Sequence, residues 1–484
     1  MSLPILFATS EIHPLIKTGG LADVSGALPA ALRALGADVR VLVPGYRQVL
    51  ERVPDGHAVA WFDHPYTAGR VELRRAQVPG SAVPLYIVVW DAYFNRDGGP
   101  YQAPDGRDWG DNAHRFGLLS YAAALLASDA SPLTDWRPRI LHCNDWQTGL
   151  APAYLRFRGG GAATVMTIHN LAYQGNFDAG LLGALRLPPE SFSLHGLEYY
   201  GHLSFLKAGL YYADWLTTVS PTYAREIQEE TLGFGMHGLL RERRDRLTGI
   251  LNGIDVSEWD PARDPHLPQP FDAEHLEGKQ ACKRELRERL GLAPDANRPL
   301  VAVISRITYQ KGSDVVLAIT PEILRQGAQV AVLGTGEAEL ETALRTLAAR
   351  HPGELSVTIG FDEGLSHLME AGADLFLMPS RYEPCGLNQM YSQRYGTPPV
   401  VHATGGLADT VVDATPEHIA AGTVTGFVFH DMHYATVLEA VRRALAAWQD
   451  RPLWRRIQQA GMRMDFSWER SARAYLELYQ RLAP

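Results

Sequence analysis

Short apolar runs alternate along this chain with stretches in which apolar residues recur every three or four positions. PILFAT (4–9) reads as a strand. LADVSGALPAALRALG (21–36) then carries Leu21, Val24, Leu28, Leu32 and Leu35 at helical spacing, and Pro29 is expected to kink that helix. Further strands are predicted at 38–44, 84–90, 139–143, 164–168, 215–220 and 247–251, with a helix at 112–127. Residues 257–272, SEWDPARDPHLPQPFD, break the rhythm with prolines and charges and read as a linker. An amphipathic helix is predicted at 279–291, and the strands resume at 300–305, 328–334, 355–360, 374–380, 398–403 and 426–429. Helices are expected at 434–450 and on both sides of Asp465–Phe466.

Strands that are apolar almost throughout, separated by helices, indicate parallel sheets covered on both faces. The chain has 484 residues, more than one core usually serves. The expected organisation is therefore two α/β domains, 1–256 and 273–459, joined by the linker 257–272, with a helical tail at 460–484 able to return to the first domain.

Composition narrows the function. The net charge of -9 argues against a nucleic-acid partner, whose footprint is usually a basic face. Cys143, Cys282 and Cys385 are too few and too scattered for a disulfide framework or a zinc motif. No run is long and apolar enough for a membrane span, and the N-terminus reads as a strand rather than a signal peptide, so the cytoplasm is the expected compartment.

In parallel α/β domains ligands bind beyond the carboxyl ends of strands, so the loops there matter most. The string TGGLAD occurs at 18–23 and again at 404–409, with unrelated flanks. That excludes a duplicated module and leaves two similar loops, each opening a helix. At the first, Lys17 adds a point charge, and adjacent glycines at 19 and 20 let a ligand approach the backbone or equally form a simple turn. SRITYQKG (305–312) puts Arg306 and Lys311 directly after a strand, a pairing that suits a diphosphate and equally a solvated basic loop. In PSRYEPCGLNQ (379–389), Glu383 can accept from vicinal hydroxyls, or the stretch merely shapes a turn. His169 and Asn170 in MTIHNLAYQG, and Asp145 and Trp146 in HCNDWQTGL, lie at strand ends of the first domain. A carboxylate, an aromatic face and a histidine together suit a sugar. No two aspartates are spaced Asp-x-Asp, the arrangement that holds a metal on many sugar nucleotides. No metal or other cofactor is expected.

The motifs FATSEIHPLIKTGGLADVSGALP, MTIHNLAYQG, TVSPTYAREI, ILNGIDVSEWDP, SRITYQKG, PSRYEPCGLNQMYSQRYGTPPVVHATGGLADTV, TGFVF and MDFSWERSA follow one another over essentially the whole chain. In this order they resemble the bacterial glycogen synthases and plant starch synthases, retaining glucosyltransferases of the GT-B fold. The resemblance implies two Rossmann-like domains facing across a deep cleft, with the chain from about residue 460 crossing back onto the first. It implies glucosyl transfer from ADP-glucose to the non-reducing 4-hydroxyl of an α-1,4-glucan, with no metal. Arg306 and Lys311 would hold the phosphates, Glu383 the transferred glucose, and His169 would lie over the reacting sugar. Lys17, Gly19, Gly20 and Asp23, together with Cys385, Gly386, Leu387, Thr404 and Gly405, would line the donor site, the second TGGLAD giving glycine N–H groups to the diphosphate. Phe361 would stack on the base. Asn252, Asp145, Trp146 and Asn170 would line the cleft.

The chain departs from that family at His402–Ala403, where arginine commonly precedes the Thr-Gly-Gly, and at Phe361, where tyrosine is common. Both departures leave UDP-glucose open as an alternative donor. A non-catalytic glucan-binding protein would be expected to lack one of Lys17, Arg306, Lys311 or Glu383, and all four are present.

Overall fold

The computed structural model describes residues 2–483. The chain forms two compact units, Met1–Gly253 with Trp468–Pro484, and Ile254–Ser467.

The first unit is built on a nine-stranded sheet. Its order runs Leu247–Gly249, Trp215–Thr218, Ala163–Ile168, Ile140–Asn144, Pro4–Ala8, Asp38–Pro44, Pro84–Val89, Arg70–Gln77, His57–Asp63. All neighbours pair in parallel as far as Pro84–Val89, and the last two strands add an antiparallel hairpin at the edge. The chain starts in the middle of the sheet, winds outward one way, then returns and winds the other. The reversal falls between Pro4–Ala8 and Ile140–Asn144, the topological switch point where such sheets bind ligands. The helix Gly20–Ala34 runs through Pro29 as one element.

The second unit holds six parallel strands in the order Leu355–Ile359, Gln329–Gly334, Leu300–Ile304, Leu375–Met378, Pro399–His402, Phe427–Phe429. Its switch point lies between Leu300–Ile304 and Leu375–Met378. The two-residue period of a strand explains the continuous apolar runs. Val301, Val303, Val330, Val332, Leu375 and Leu377 pack on one face, and Leu300, Ala302, Ala331, Leu333, Phe376 and Met378 on the other.

Two expected boundaries move. Residues 257–272 are not a free linker but part of the second unit. Trp259 stacks on His367 and on Tyr391, with centroids 3.9 and 3.8 Å away, and Phe271 enters the core. The charges that suggested solvation are in part hydrogen-bonded inside. Asp264 is buried and accepts from Tyr395 Oη at 2.5 Å and from His367 Nδ1 at 2.7 Å. The tail changes units at Trp468 rather than near 460, because the helix Arg451–Met462 puts Trp454, Ile457 and Met462 into the second unit's core. The helix Trp468–Leu482 completes the first unit. Tyr479 Oη lies 2.7 Å from His142 Nδ1, and Ser471 donates to the Leu251 carbonyl at 2.5 Å.

Candidate active site

Both loops at the second unit's switch point carry the charged side chains singled out from the sequence. Lys311, from the loop after Leu300–Ile304, donates to Glu383 Oε2 at 2.5 Å, and Ser380 donates to the same oxygen at 3.0 Å. Lys311 is half-buried and Glu383 buried, so the pair lies largely out of bulk water. Arg306 faces solvent and, among the described residues, holds only a long bond, 3.4 Å, to Gln310 Oε1. Its fork is therefore uncommitted enough to take an anion.

Sequence reasoning passed over the residue that joins these loops. Arg381 grips Asp314 with both guanidinium nitrogens, at 2.7 and 2.8 Å, and donates to the Tyr309 carbonyl at 2.5 Å. Its backbone N–H bonds the Gln310 carbonyl at 2.9 Å, and the guanidinium lies 3.4 Å over the Tyr309 ring. A planar five-donor group suits this task, whereas a lysine would satisfy only part of it.

The second TGGLAD packs under Glu383. Gly405 has φ 44, and a Cβ there would lie 1.9 Å from the Glu383 carbonyl oxygen. A Cβ on Gly406 would lie 2.0 Å from the Cys385 carbonyl oxygen. The Gly406 N–H donates to the Glu383 carbonyl at 3.1 Å, so it is already engaged and is not an open donor for a diphosphate. Thr404 and Cys385 are buried. Gly386 needs its glycine as well, with φ 71 and Glu383 Cγ 3.1 Å from where a Cβ would sit. Leu387 caps the helix Asn388–Arg394. Phe361 is 84% exposed, on the turn after Leu355–Ile359, a free aromatic face.

The first TGGLAD is different. Neither Gly19 nor Gly20 has positive φ, and a Cβ on either meets nothing within 4 Å. The fold itself does not require glycine there, and the backbone stands open to close approach. The turn is fixed by Glu11, a residue the sequence reading missed. Its buried carboxylate accepts from Thr18 N at 2.5 Å, Thr18 Oγ1 at 2.6 Å and Gly19 N at 3.3 Å, and from Tyr101. Lys17 pairs with Asp23 at 2.7 Å on an exposed surface, a pair weak enough for an anion to displace.

At the same switch point, Asp145 holds φ 55 and ψ -176, a conformation that strains any side chain. Its carboxylate is buried and turned to the His169 backbone. It accepts from His169 N at 2.7 Å, and burial pushes its pKa up to about 7, with hydrogen bonds from the His169 and Asn170 backbone pulling the other way. His169 Nε2 lies 2.9 Å from Asn144 Oδ1, and the Asn144 amide nitrogen donates to the Ala8 carbonyl at 3.0 Å. Asn144 thus offers an acceptor, which places the imidazole proton on Nε2. Burial lowers the His169 pKa to about 3, so the ring is neutral near pH 7. Asn170 Oδ1 closes its own turn by accepting from Ala172 N at 3.1 Å. Trp146, expected to offer a face to a sugar, is packed against Phe116 at 4.9 Å and near Tyr101, Phe177 and Phe205, and it presses on Gly175. Asn252 is buried with Oδ1 lacking a partner among the described residues, an acceptor left for a ligand or water.

Comparison with known proteins agrees along the whole chain. Residues 4–242 match a family described as the starch synthase catalytic domain, and 285–462 match the glycosyl transferases group 1. A glycogen synthase of Nitrosospira multiformis is 54% identical over 481 residues, covering 99% of this chain and 97% of that protein. One from Thioalkalivibrio sulfidiphilus is 52% identical, covering 99% of both. Among solved structures, the catalytic domain of starch synthase IV from Arabidopsis thaliana, bound to ADP and acarbose, superposes with a TM-score of 0.89 at 31% identity over 100% of both chains. A sucrose-phosphate synthase from Thermosynechococcus elongatus shares the fold, with a TM-score of 0.60 at 18% identity over 99% of each chain. With two Rossmann-like units, a C-terminal helix returning to the first, and relatives of this identity over nearly its full length, the chain belongs to the glycogen synthase and starch synthase family of GT-B glucosyltransferases.

Proposed function

We propose that the protein extends an α-1,4-glucan by transferring glucose, with retention, from ADP-glucose to the 4-hydroxyl at the non-reducing end. The observation that carries this reading is the meeting of Lys311 and Glu383 at 2.5 Å, with Arg306 on the same loop as Lys311, at the second unit's switch point. Arg306 and Lys311 take the negative charge that grows on the leaving diphosphate, the kind of preorganised stabilisation that supplies most of a transfer barrier's reduction. Glu383 accepts from hydroxyls of the transferred glucose. Phe361 gives the base a face to stack on, and Lys17 supplies a further cation beside glycines open to close approach.

His169 acts on the sugar as a neutral group rather than as an acid, since its ring is not protonated near pH 7. Asp145 is a positioning residue that fixes the His169 backbone. The departing diphosphate oxygen receives the proton of the incoming hydroxyl on the same face of the sugar, so no enzyme nucleophile is needed.

The test is to incubate the protein with glycogen and either ADP-glucose or UDP-glucose, following nucleotide release and chain growth. Chain growth with a lower KM for ADP-glucose is expected. A lower KM for UDP-glucose would overturn the donor assignment, and glucan binding without transfer would overturn the enzymatic one.

A further inference from the structure

The second unit contains a cluster outside the proposed donor site. Oxygen atoms of Glu258 and Glu363 and a ring nitrogen of His367 all lie within 4.8 Å of one another. Glu363 and His367 are four residues apart on the helix Glu363–Gly372, and so share a face. Glu258 adjoins Trp259, whose indole stacks on the His367 ring at 3.9 Å and 13°. That stack brings the 254–272 segment to the helix.

His367 is the informative member. It is 1% exposed. Nδ1 lies 2.7 Å from Asp264 Oδ2, an oxygen that also accepts from Tyr395 at 2.5 Å. A carboxylate oxygen only accepts when ionised, so the imidazole proton sits on Nδ1 and the lone pair on Nε2. Nε2 is buried and has no hydrogen-bond partner among the described residues. Leaving a polar nitrogen buried and unpaired costs free energy, and native proteins seldom do it without a reason. A carboxylate on one ring nitrogen with the lone pair free on the other is how metal-ligating histidines are held.

We propose that Glu258, Glu363 and His367 Nε2 bind one first-row divalent transition-metal cation that fastens the 254–272 segment to the helix Glu363–Gly372. One imidazole and two carboxylates suit zinc and its neighbours, whereas magnesium and calcium favour all-oxygen sets. The two carboxylate charges balance the cation. Tetrahedral zinc ligands stand about 3.4 Å apart, given bonds near 2.1 Å, so the glutamate arms need to close in by at most about 1.4 Å. Both glutamates are exposed, which leaves them room to do so.

The experiment uses the full chain, stripped with EDTA and desalted, then titrated with zinc chloride by calorimetry. Metal content is measured separately. One zinc per chain is expected, with a rise in Tm. The double variant Glu258→Gln with Glu363→Gln changes only exposed side chains and keeps their shape while removing their charge. It should weaken zinc binding at least tenfold and abolish the Tm rise. X-ray absorption at the zinc edge should show nitrogen and oxygen ligands. No saturable binding, a loss in the double variant smaller than tenfold, or sulfur in the coordination shell would each overturn the proposal.

Discussion

Glu383 Oε2 accepts from Lys311 at 2.5 Å and from Ser380 at 3.0 Å, so the only cation paired with this buried carboxylate by a described contact is Lys311. Lys311 and Arg306 therefore differ in what their loss does. Each substitution to alanine should cut kcat/KM by about two orders of magnitude or more, since a charge-assisted bond to the diphosphate in the transition state is worth about 2–4 kcal/mol. Only Lys311→Ala should also lower Tm clearly, because it strands a buried charge, whereas Arg306 is exposed. EDTA should leave the transfer rate at room temperature nearly unchanged. A rate that collapses in EDTA and returns with magnesium would defeat the account in which these side chains alone neutralise the diphosphate.

Glu383 itself separates two mechanisms. As a hydroxyl acceptor on the diphosphate side, it should lose much of kcat as Glu383→Gln while ADP affinity changes little, with Glu383→Ala worse. Azide should rescue neither. A β-glucosyl azide formed by the alanine variant, or a glucosyl ester on wild-type Glu383, would restore double displacement.

Phe361 stands apart from the core at 84% exposure, so its removal should not disturb folding. Phe361→Ala is expected to raise the donor KM by about tenfold, keep most of kcat, and leave Tm within a degree or so, since base stacking acts far from the reacting bond. Loss in kcat alone would remove it from the donor site.

The two copies of TGGLAD should respond oppositely to alanine. Gly20→Ala meets no atom and needs no positive φ, so stability should hold or rise by roughly 0.4–1 kcal/mol, seen as an unchanged or higher Tm, while kcat/KM falls. Gly406→Ala drives a methyl into the Cys385 carbonyl and should lower Tm. If Gly20→Ala keeps full activity, the open space beside the first copy is not a ligand's.

The first unit should be acid-sensitive in a defined window. Burial lowers His142 and His169 to about 3 and His64 to about 4, all below the unfolded value near 6.5. The unfolded chain then binds protons that the folded one does not, so these groups favour folding above pH 6.5, and that contribution is lost as pH falls toward 3 to 4. Asp145, raised to about 7, acts with the opposite sign between about 4 and 7. Three histidines against one carboxylate leave a net gain in stability as pH rises from about 4 to 6.5. Urea unfolding across that range should show it, with a shallower slope for His169→Gln.

How much of this the sequence disclosed depended on periodicity and on contact partners. The parallel strands were legible because both sheet faces are buried, which makes Val301–Val303 and Leu300–Ala302 read as one apolar run. The edge hairpin His57–Asp63 with Arg70–Gln77 escaped, since its strands carry exposed and half-buried residues that blur the pattern. Arg306, Lys311 and Glu383 could be singled out because each sits in a loop beyond a strand. Glu11 and Arg381 could not be ranked, because their importance lies in backbone groups that they grip several residues away or on another loop. Trp146 misled for the same reason, its neighbours Phe116 and Phe205 being remote in the chain.

The helix Trp468–Leu482, with Tyr475 and Tyr479 buried against His142, gives synthesis of this protein an unusual order. The ribosome finishes the whole uninterrupted span Ile254–Ser467 before it supplies the last piece of the unit it began with. The first unit must wait, with the surface around His142 uncovered, until Trp468–Leu482 leaves the exit tunnel.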